Sequence, residues 1–230
     1  LLVVGYGAYG MSTVLSTARW KPLLARGWAL AIGLWRGGGD HTPEWEDAGR
    51  LQGRVKVLED ASAVVRKAQK LCGLGADKTV LYGRSAGGLW VGGLCARYPD
   101  GSLAGGAYME VPYLDVLRTT TNRALPLTDI EADEFGLPER SIHDLASILS
   151  WSPMDTLPPG GTPGIWQLVR TGLNDPQVFA YESVKWVERC RGGRGKIILA
   201  IEGGQGHFVE GETGIKQRAQ DICFLLKQII

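Results

Sequence analysis

The sequence predicts an α/β protein, a mainly parallel central sheet with helices on both faces, folded as one domain of 230 residues. Three observations carry that prediction. Short, fully apolar runs end in glycine-rich loops, as buried parallel strands do. Amphipathic segments of helical period separate those runs, as the crossovers between parallel strands require. One run, residues 79–82, passes directly into Gly83-Arg84-Ser85-Ala86-Gly87-Gly88 and then into a segment of small residues that reads as a helix.

Residues 1–4 form the first strand and close on Gly5-Tyr6-Gly7-Ala8-Tyr9-Gly10. Residues 28–35 repeat the pattern and close on Arg36-Gly37-Gly38-Gly39. Loops at such carboxyl ends are where sheets of this class place their sites. Residues 58–74 have helical spacing, with Val64, Val65, Ala68 and Leu71 on one side and Arg66, Lys67 and Lys70 on the other, and cross over to the strand at 79–82. A helix at 89–97 and a strand at 104–109 follow. Residues 110–163 read as a long irregular insert, rich in proline, threonine and acidic residues, of the kind that carries specificity. A strand at 165–170, a helix at 178–191, a strand at 196–201 and a closing helix at 215–230 complete the alternation.

A hydrophobic content of 44% is enough for a sizeable core. With 25 basic and 24 acidic side chains, the net charge of +1 gives no general attraction to nucleic acid or an anionic membrane. No apolar run approaches the ~20 residues that span a bilayer, and the first residues lack the basic-then-apolar form of a signal peptide. Cys72, Cys95, Cys190 and Cys223 are scattered in helical, mostly apolar surroundings and read as free core thiols in a reducing, cytoplasmic compartment. The three histidines lie far apart without helical ligand spacing, so neither a metal site nor a cofactor is expected. Leu1 opens inside a strand, which suggests a segment of a longer protein.

The strand–GRSAGG–helix block has the form of a nucleophile elbow, in which glycines at 83 and 87 make room for a serine, Ser85, held in a strained turn. The alternative is a tight βα turn whose serine caps the helix. A nucleophilic serine needs a base, and His207, just after the strand at 196–201 in a glycine-rich loop, is the candidate; His41 and His143 read as solvated. The base needs an acid to hold its tautomer. Asp175 follows the strand at 165–170 and gives the chain order Ser85, Asp175, His207, although Asp175 could cap the next helix and Asp144 or Asp155 could serve instead. The amide of Ala86 is the expected first oxyanion donor and the Tyr6 hydroxyl a candidate second, with a packing role as the alternative for Tyr6.

Several blocks together resemble the catalytic domain of the prolyl oligopeptidase family of serine peptidases, most of all its oligopeptidase B branch. They are GYGAYG (5–10), WRGGGD (35–40) with Trp45 and Gly49 after it, GRSAGG (83–88), VPYLDVL (111–117), LPLTDIEADEFG (125–136), TGLNDPQV (171–178) and the pair Gly206-His207. The resemblance implies an α/β-hydrolase fold, a Ser85, Asp175 and His207 triad, an oxyanion site at Tyr6 and Ala86, and Tyr9 as a wall of the substrate site. It further implies cleavage of short peptides after arginine or lysine, with Glu131 and Asp133 at the positions of the carboxylates that receive the basic side chain. Two carboxylates would bind a guanidinium bidentately; a solvated acidic loop is the alternative for the run Asp129, Glu131, Asp133 and Glu134. Members of the family carry an N-terminal β-propeller that these 230 residues do not supply, and packing against one outside this segment is expected. Gln177 stands where proline-specific members have an arginine, which counts against proline specificity. The same triad also serves esterases and amidases of small molecules, and a fold that has lost turnover would be a binding module.

Overall fold

The computed structural model describes residues 1–191 and 196–229. Six strands, β1 (Leu2–Val4), β2 (Leu30–Ile32), β3 (Val80–Arg84), β4 (Gly106–Glu110), β5 (Trp166–Gly172) and β6 (Ile197–Glu202), form one sheet in the order β2-β1-β3-β4-β5-β6. Every neighbouring pair is parallel. Successive strand residues point to opposite faces, and in the central strands β1, β3, β4 and β5 both faces are buried, whereas β2 is half-buried and β6 exposes Ile198 and Ile201. Val3, Leu81, Ala107, Met109 and Val169 join one core, while Leu2, Val4, Val80, Tyr82, Tyr108 and Leu168 join the other. Burial on both sides explains why these strands read as unbroken apolar runs.

Ten helices connect or flank the strands: α1 (Lys21–Leu24), α2 (Pro43–Asp47), α3 (Arg54–Cys72), α4 (Gly87–Arg97), α5 (Val116–Thr120), α6 (Ala132–Phe135), α7 (Ile142–Trp151), α8 (Pro153–Thr156), α9 (Ala180–Arg191) and α10 (Gly211–Ile229) among the described residues. The first core is closed by α3, α4, α7, α8 and α9 through residues such as Val65, Trp90, Trp151, Met154 and Trp186. The second is closed by Trp20, by Leu23 of α1 and by Ile222 and Leu225 of α10. The α/β arrangement with helices on both faces is therefore as the sequence predicts. No helix among the described residues is long and apolar enough to cross a membrane.

Four expectations need correction. The segment 110–163 is less irregular than expected: it contains the short helices α5 to α8, and Ile148, Trp151 and Met154 bury against the sheet. Leu71 and Cys72 lie on the solvent side of the last turn of α3, so Leu71 is exposed while Val65 and Ala68 carry the packed stripe. Cys223 is likewise exposed, one residue off the face of α10 that buries Ile222 and Leu225; only Cys95 and Cys190 are core thiols, and all four are free. The predicted strand at 28–35 shortens to β2; beyond it the Gly33 amide still donates to the Val4 carbonyl, and the Trp35 ring packs so close to Gly33 that a Cβ there would fall 2.0 Å from it. Ile230, the last residue of the closing helix expected at 215–230, lies outside the described residues.

Glu182, on the first turn of α9, is buried and accepts hydrogen bonds from the amides of Leu114 and Asp115 and from the Thr119 hydroxyl, which pins the chain after β4 to α9. Burial pushes its carboxyl from 4.5 up to about 7, against the pull of those donors. Between these two pH values the folded chain holds a proton at Glu182 that the unfolded chain has lost, so this group's contribution to stability falls as pH rises through that window. The thermal midpoint of Glu182→Gln, which cannot ionise, should therefore decline less than that of the parent between pH 4.5 and about 7, as followed by circular dichroism. Parallel midpoint curves for the two proteins would refute this assignment.

Candidate active site

Ser85 closes β3 and opens α4 with φ of 55°, in the left-handed region that side chains seldom occupy. The turn is too tight for a side chain at 83, where a Cβ would fall 2.1 Å from the carbonyl oxygen of Gly87. At 87 the constraint is milder: a Cβ would meet the Gly5 oxygen at 3.2 Å and the Tyr6 ring at 3.3 Å. The end of β4 fixes the turn from the side. The Ser85 amide donates to the Glu110 carbonyl at 2.9 Å, and the Tyr113 amide donates to the Ser85 carbonyl at 3.0 Å.

The loops after β5 and β6 bring Asp175 and His207 to this turn. His207 Nε2 lies 3.0 Å from Ser85 Oγ, and His207 Nδ1 lies 2.7 Å from Asp175 Oδ2. With Nδ1–H donating to the carboxylate, Nε2 is left to accept the serine hydroxyl proton. Asp175 and His207 are both buried. The other carboxylate oxygen, Oδ1, accepts the amides of Gln177 at 2.9 Å and Val178 at 3.0 Å, so one side chain both orients the imidazole and caps the turn before α9. Burial pushes the Asp175 carboxyl up, but the bonds from His207 and the two amides outweigh it and hold the group below the usual carboxylate range. Asp144 instead accepts from the Leu137 amide and Gln52, and Asp155 pairs with Arg118 and Ser152. His41 and His143 are exposed.

Tyr6, from the loop after β1, shares a cavity with Ser85; burial raises the pKa of its hydroxyl, and the neighbouring Ser85 partly offsets the rise. Tyr6, Tyr9, Ser85, Ala86, Glu131 and Gln177 share a cavity of about 220 Å³. The Tyr9 hydroxyl donates to Glu131 at 2.6 Å, and the Tyr9 amide donates to Glu134 at 3.0 Å. Burial raises the Glu131 carboxyl above its ordinary range. A larger cavity of about 330 Å³ lies on the far side of His207, between Arg84, Arg170, Glu202 and Phe208, and does not reach Ser85. Of the two, it is the smaller that Ser85 lines.

The expected pair of carboxylates is not brought together. Glu131 faces the cavity, whereas Asp133 is exposed and borders a separate shallow depression with Asp47, Arg50 and Lys56. Positions two apart on a helical turn point to different sides, and residues 132–135 are helical. Glu134, not singled out by the sequence, is buried and pairs with Arg54 at 3.0 Å and Arg50 at 3.1 Å. Arg54, itself buried, also donates to the carbonyl of Gly7 at 2.9 Å, so this ion pair holds the Tyr6–Tyr9 loop in place. Tyr113, Thr119, Leu125 and Pro126 complete the cavity wall and were also missed, since nothing in their spacing separates a wall from a core.

A model of the prolyl oligopeptidase family matches residues 15–229. The chain belongs to the prolyl oligopeptidase family of serine peptidases. Protease 2 of Moraxella lacunata is 30% identical over all of the chain and 33% of its own length. Dipeptidyl aminopeptidase BI of Pseudoxanthomonas mexicana is 32% identical over all of the chain and 32% of its own length. Among solved structures, oligopeptidase B from Leishmania major superposes with a TM-score of 0.91 at 29% identity, over 99% of this chain and 32% of that one. The chain thus spans about a third of the length of the prolyl oligopeptidase relatives it matches, and its sheet is that of an α/β-hydrolase domain.

The two elbow glycines should differ in their tolerance of a methyl group. Gly83→Ala should cost about 3 kcal/mol or more in urea unfolding, because backbone must move, and Gly87→Ala about 1 kcal/mol or less. Equal costs would contradict the turn geometry.

Proposed function

We propose that Ser85, His207 and Asp175 form a catalytic triad that hydrolyses peptide bonds of short peptides after arginine or lysine, through an acyl-enzyme on Ser85. The observation that carries the proposal is the hydrogen-bonded line from Ser85 Oγ through His207 to Asp175, at 3.0 and 2.7 Å, opening on a cavity that contains Glu131. His207 Nε2 takes the serine proton as Oγ attacks the substrate carbonyl carbon. The oxyanion that forms is received by the Tyr6 hydroxyl and the Ala86 amide. His207 then gives the proton to the leaving amine, and water, deprotonated by the same nitrogen, attacks the ester to release the acid and restore Ser85. Asp175, ionised throughout, keeps Nδ1 protonated and stabilises the imidazolium.

Glu131 supports the preference for a basic side chain. It is a partly desolvated carboxylate, already oriented by Tyr9, and a guanidinium or ammonium reaching it would relieve the cost of its burial. In this reading Glu131 and Tyr9 make the receptor and Asp133 takes no direct part. A β-propeller of the kind the family carries, packed over this face in the full-length protein, is the proposed limit on peptide length.

A serine-directed phosphonate should modify Ser85 in the folded parent and leave Ser85→Ala unlabelled, as read by intact mass; an unlabelled parent would sink the proposal. Tyr6→Phe should retain its fold and lose ~10²- to 10³-fold in kcat, the usual effect of one oxyanion donor. Glu131→Gln should cut the preference for an arginyl amide over a norleucyl amide by ~2 kcal/mol, roughly 30-fold in kcat/KM. An unchanged ratio, or a parent that prefers short acyl esters to arginyl amides, would remove the specificity claim.

A further inference from the structure

The segment that carries His207, between β6 and α10, is weakly supported. Gly203, Gly204, Gly206 and Gly211 punctuate it, and side chains built at 203, 204 or 211 would meet nothing within 4 Å. Phe208, the next residue, is 63% exposed. The Asn174 amide ties down Gln205 at 2.9 Å and the Leu173 amide ties down Glu202 at 3.0 Å, both from the side of Asp175. The 330 Å³ cavity borders this segment, and the ring that packs on the imidazole, at 5.1 Å between centroids, is that of the exposed Phe208.

One side chain crosses that gap. Arg84, the residue immediately before Ser85, donates from Nη2 to the backbone carbonyl of His207 and lays its guanidinium over the Phe208 ring at 4.6 Å. Its Nε lies 3.8 Å from Glu110, at the end of β4. Glu110 is held in turn by Arg19, Tyr82 and Tyr108. We propose that Arg84 is a positioning residue that latches the His207 loop to the strand bearing the nucleophile, setting the distance between Nε2 and Oγ. The idea builds on the triad reading above. Its physical content is that base and nucleophile are joined twice, once through their own hydrogen bond and once through a planar donor anchored one residue away from Ser85. Removing the second link lets the loop swing on its glycines while the cavity for substrate, on the other side of Ser85, keeps its walls. Turnover then falls without loss of substrate affinity, and misplacement by about an ångström costs up to ~10²-fold.

Arg84→Met keeps the length and apolar stem of the side chain but removes its donors, and Glu110 retains its other partners. This variant should lose ~10- to 10²-fold in kcat on an arginyl amide with KM changed less than about two-fold, an unaltered thermal midpoint, and faster amide hydrogen exchange across 203–210. Arg84→Lys, which can still reach a carbonyl, should recover most of the loss. Phe208→Leu, at an exposed site that cannot disturb the core, should show a smaller change in the same direction. Parent-like kcat together with parent-like exchange in Arg84→Met would overturn the latch, as would a rise in KM equal to the fall in kcat/KM. If the parent itself fails to react with the phosphonate, the triad reading falls. The exchange at 203–210 then still decides the latch: faster in Arg84→Met upholds it, unchanged refutes it.

Discussion

Parallel pairing is the constraint from which the rest of this molecule follows. Parallel neighbours cannot be joined by a tight hairpin, so each connection must leave one end of the sheet, cross a face and return. That requirement covers both faces of the central strands with helices and gathers the carboxyl ends of β1, β3, β5 and β6 at one edge. Tyr6, Ser85, Asp175 and His207 are the residues found there, each on a loop of its own. None of them is close to another in sequence, and no local interaction could have assembled them.

Around this edge the chain maintains charge in places where water is scarce. On one side Arg54 and Glu134 form a buried pair whose spare donors and acceptors are used by Gly7, Gly49 and Tyr9. On the other, Glu110, Asp221 and Arg170 are buried with Tyr82 and Tyr108 in one hydrogen-bonded group under the His207 loop. Buried ions are costly unless nearly every lone pair and proton is occupied. Here they are largely occupied: backbone of Gly7, Tyr9 and Gly49 serves Arg54 and Glu134, while Glu110, Asp221 and Arg170 serve one another together with the side chains of Arg19, Tyr82, Tyr108 and Glu202. The first cluster therefore reads as scaffolding for loop shape and the second as a side-chain anchor under the His207 loop, with Glu131 standing apart as a carboxylate that Tyr9 orients.

Much of this was legible in the sequence because it depends on local chemistry. Apolar runs closing on glycine gave the strands, and the order Ser85, Asp175, His207 followed from placing one candidate after each of three of them. The ambiguity over Asp175, orienter or cap, dissolves in three dimensions because a carboxylate has two oxygens and uses both. What stayed hidden depends on direction. In the acidic run 129–136 one residue faces the cavity, another faces solvent and a third is buried on an arginine eighty positions upstream, and composition assigns all three the same character. The helices of 110–163 were obscured for a related reason: α5, α6 and α8 span only four or five residues, too few to display a period.

The spacing of the site residues along the sheet has a temporal corollary. β6 is an edge strand, and β5 must be in place before it has anything to pair with. A refolding intermediate containing β1, β3, β4 and α4 would already possess the strained serine turn, yet on the proposed mechanism its hydroxyl would be inert for want of an imidazole. On the proposed mechanism, recovery of Ser85 reactivity during refolding would be a stopwatch for the docking of the outermost strand, because non-local pairing of that kind is slow.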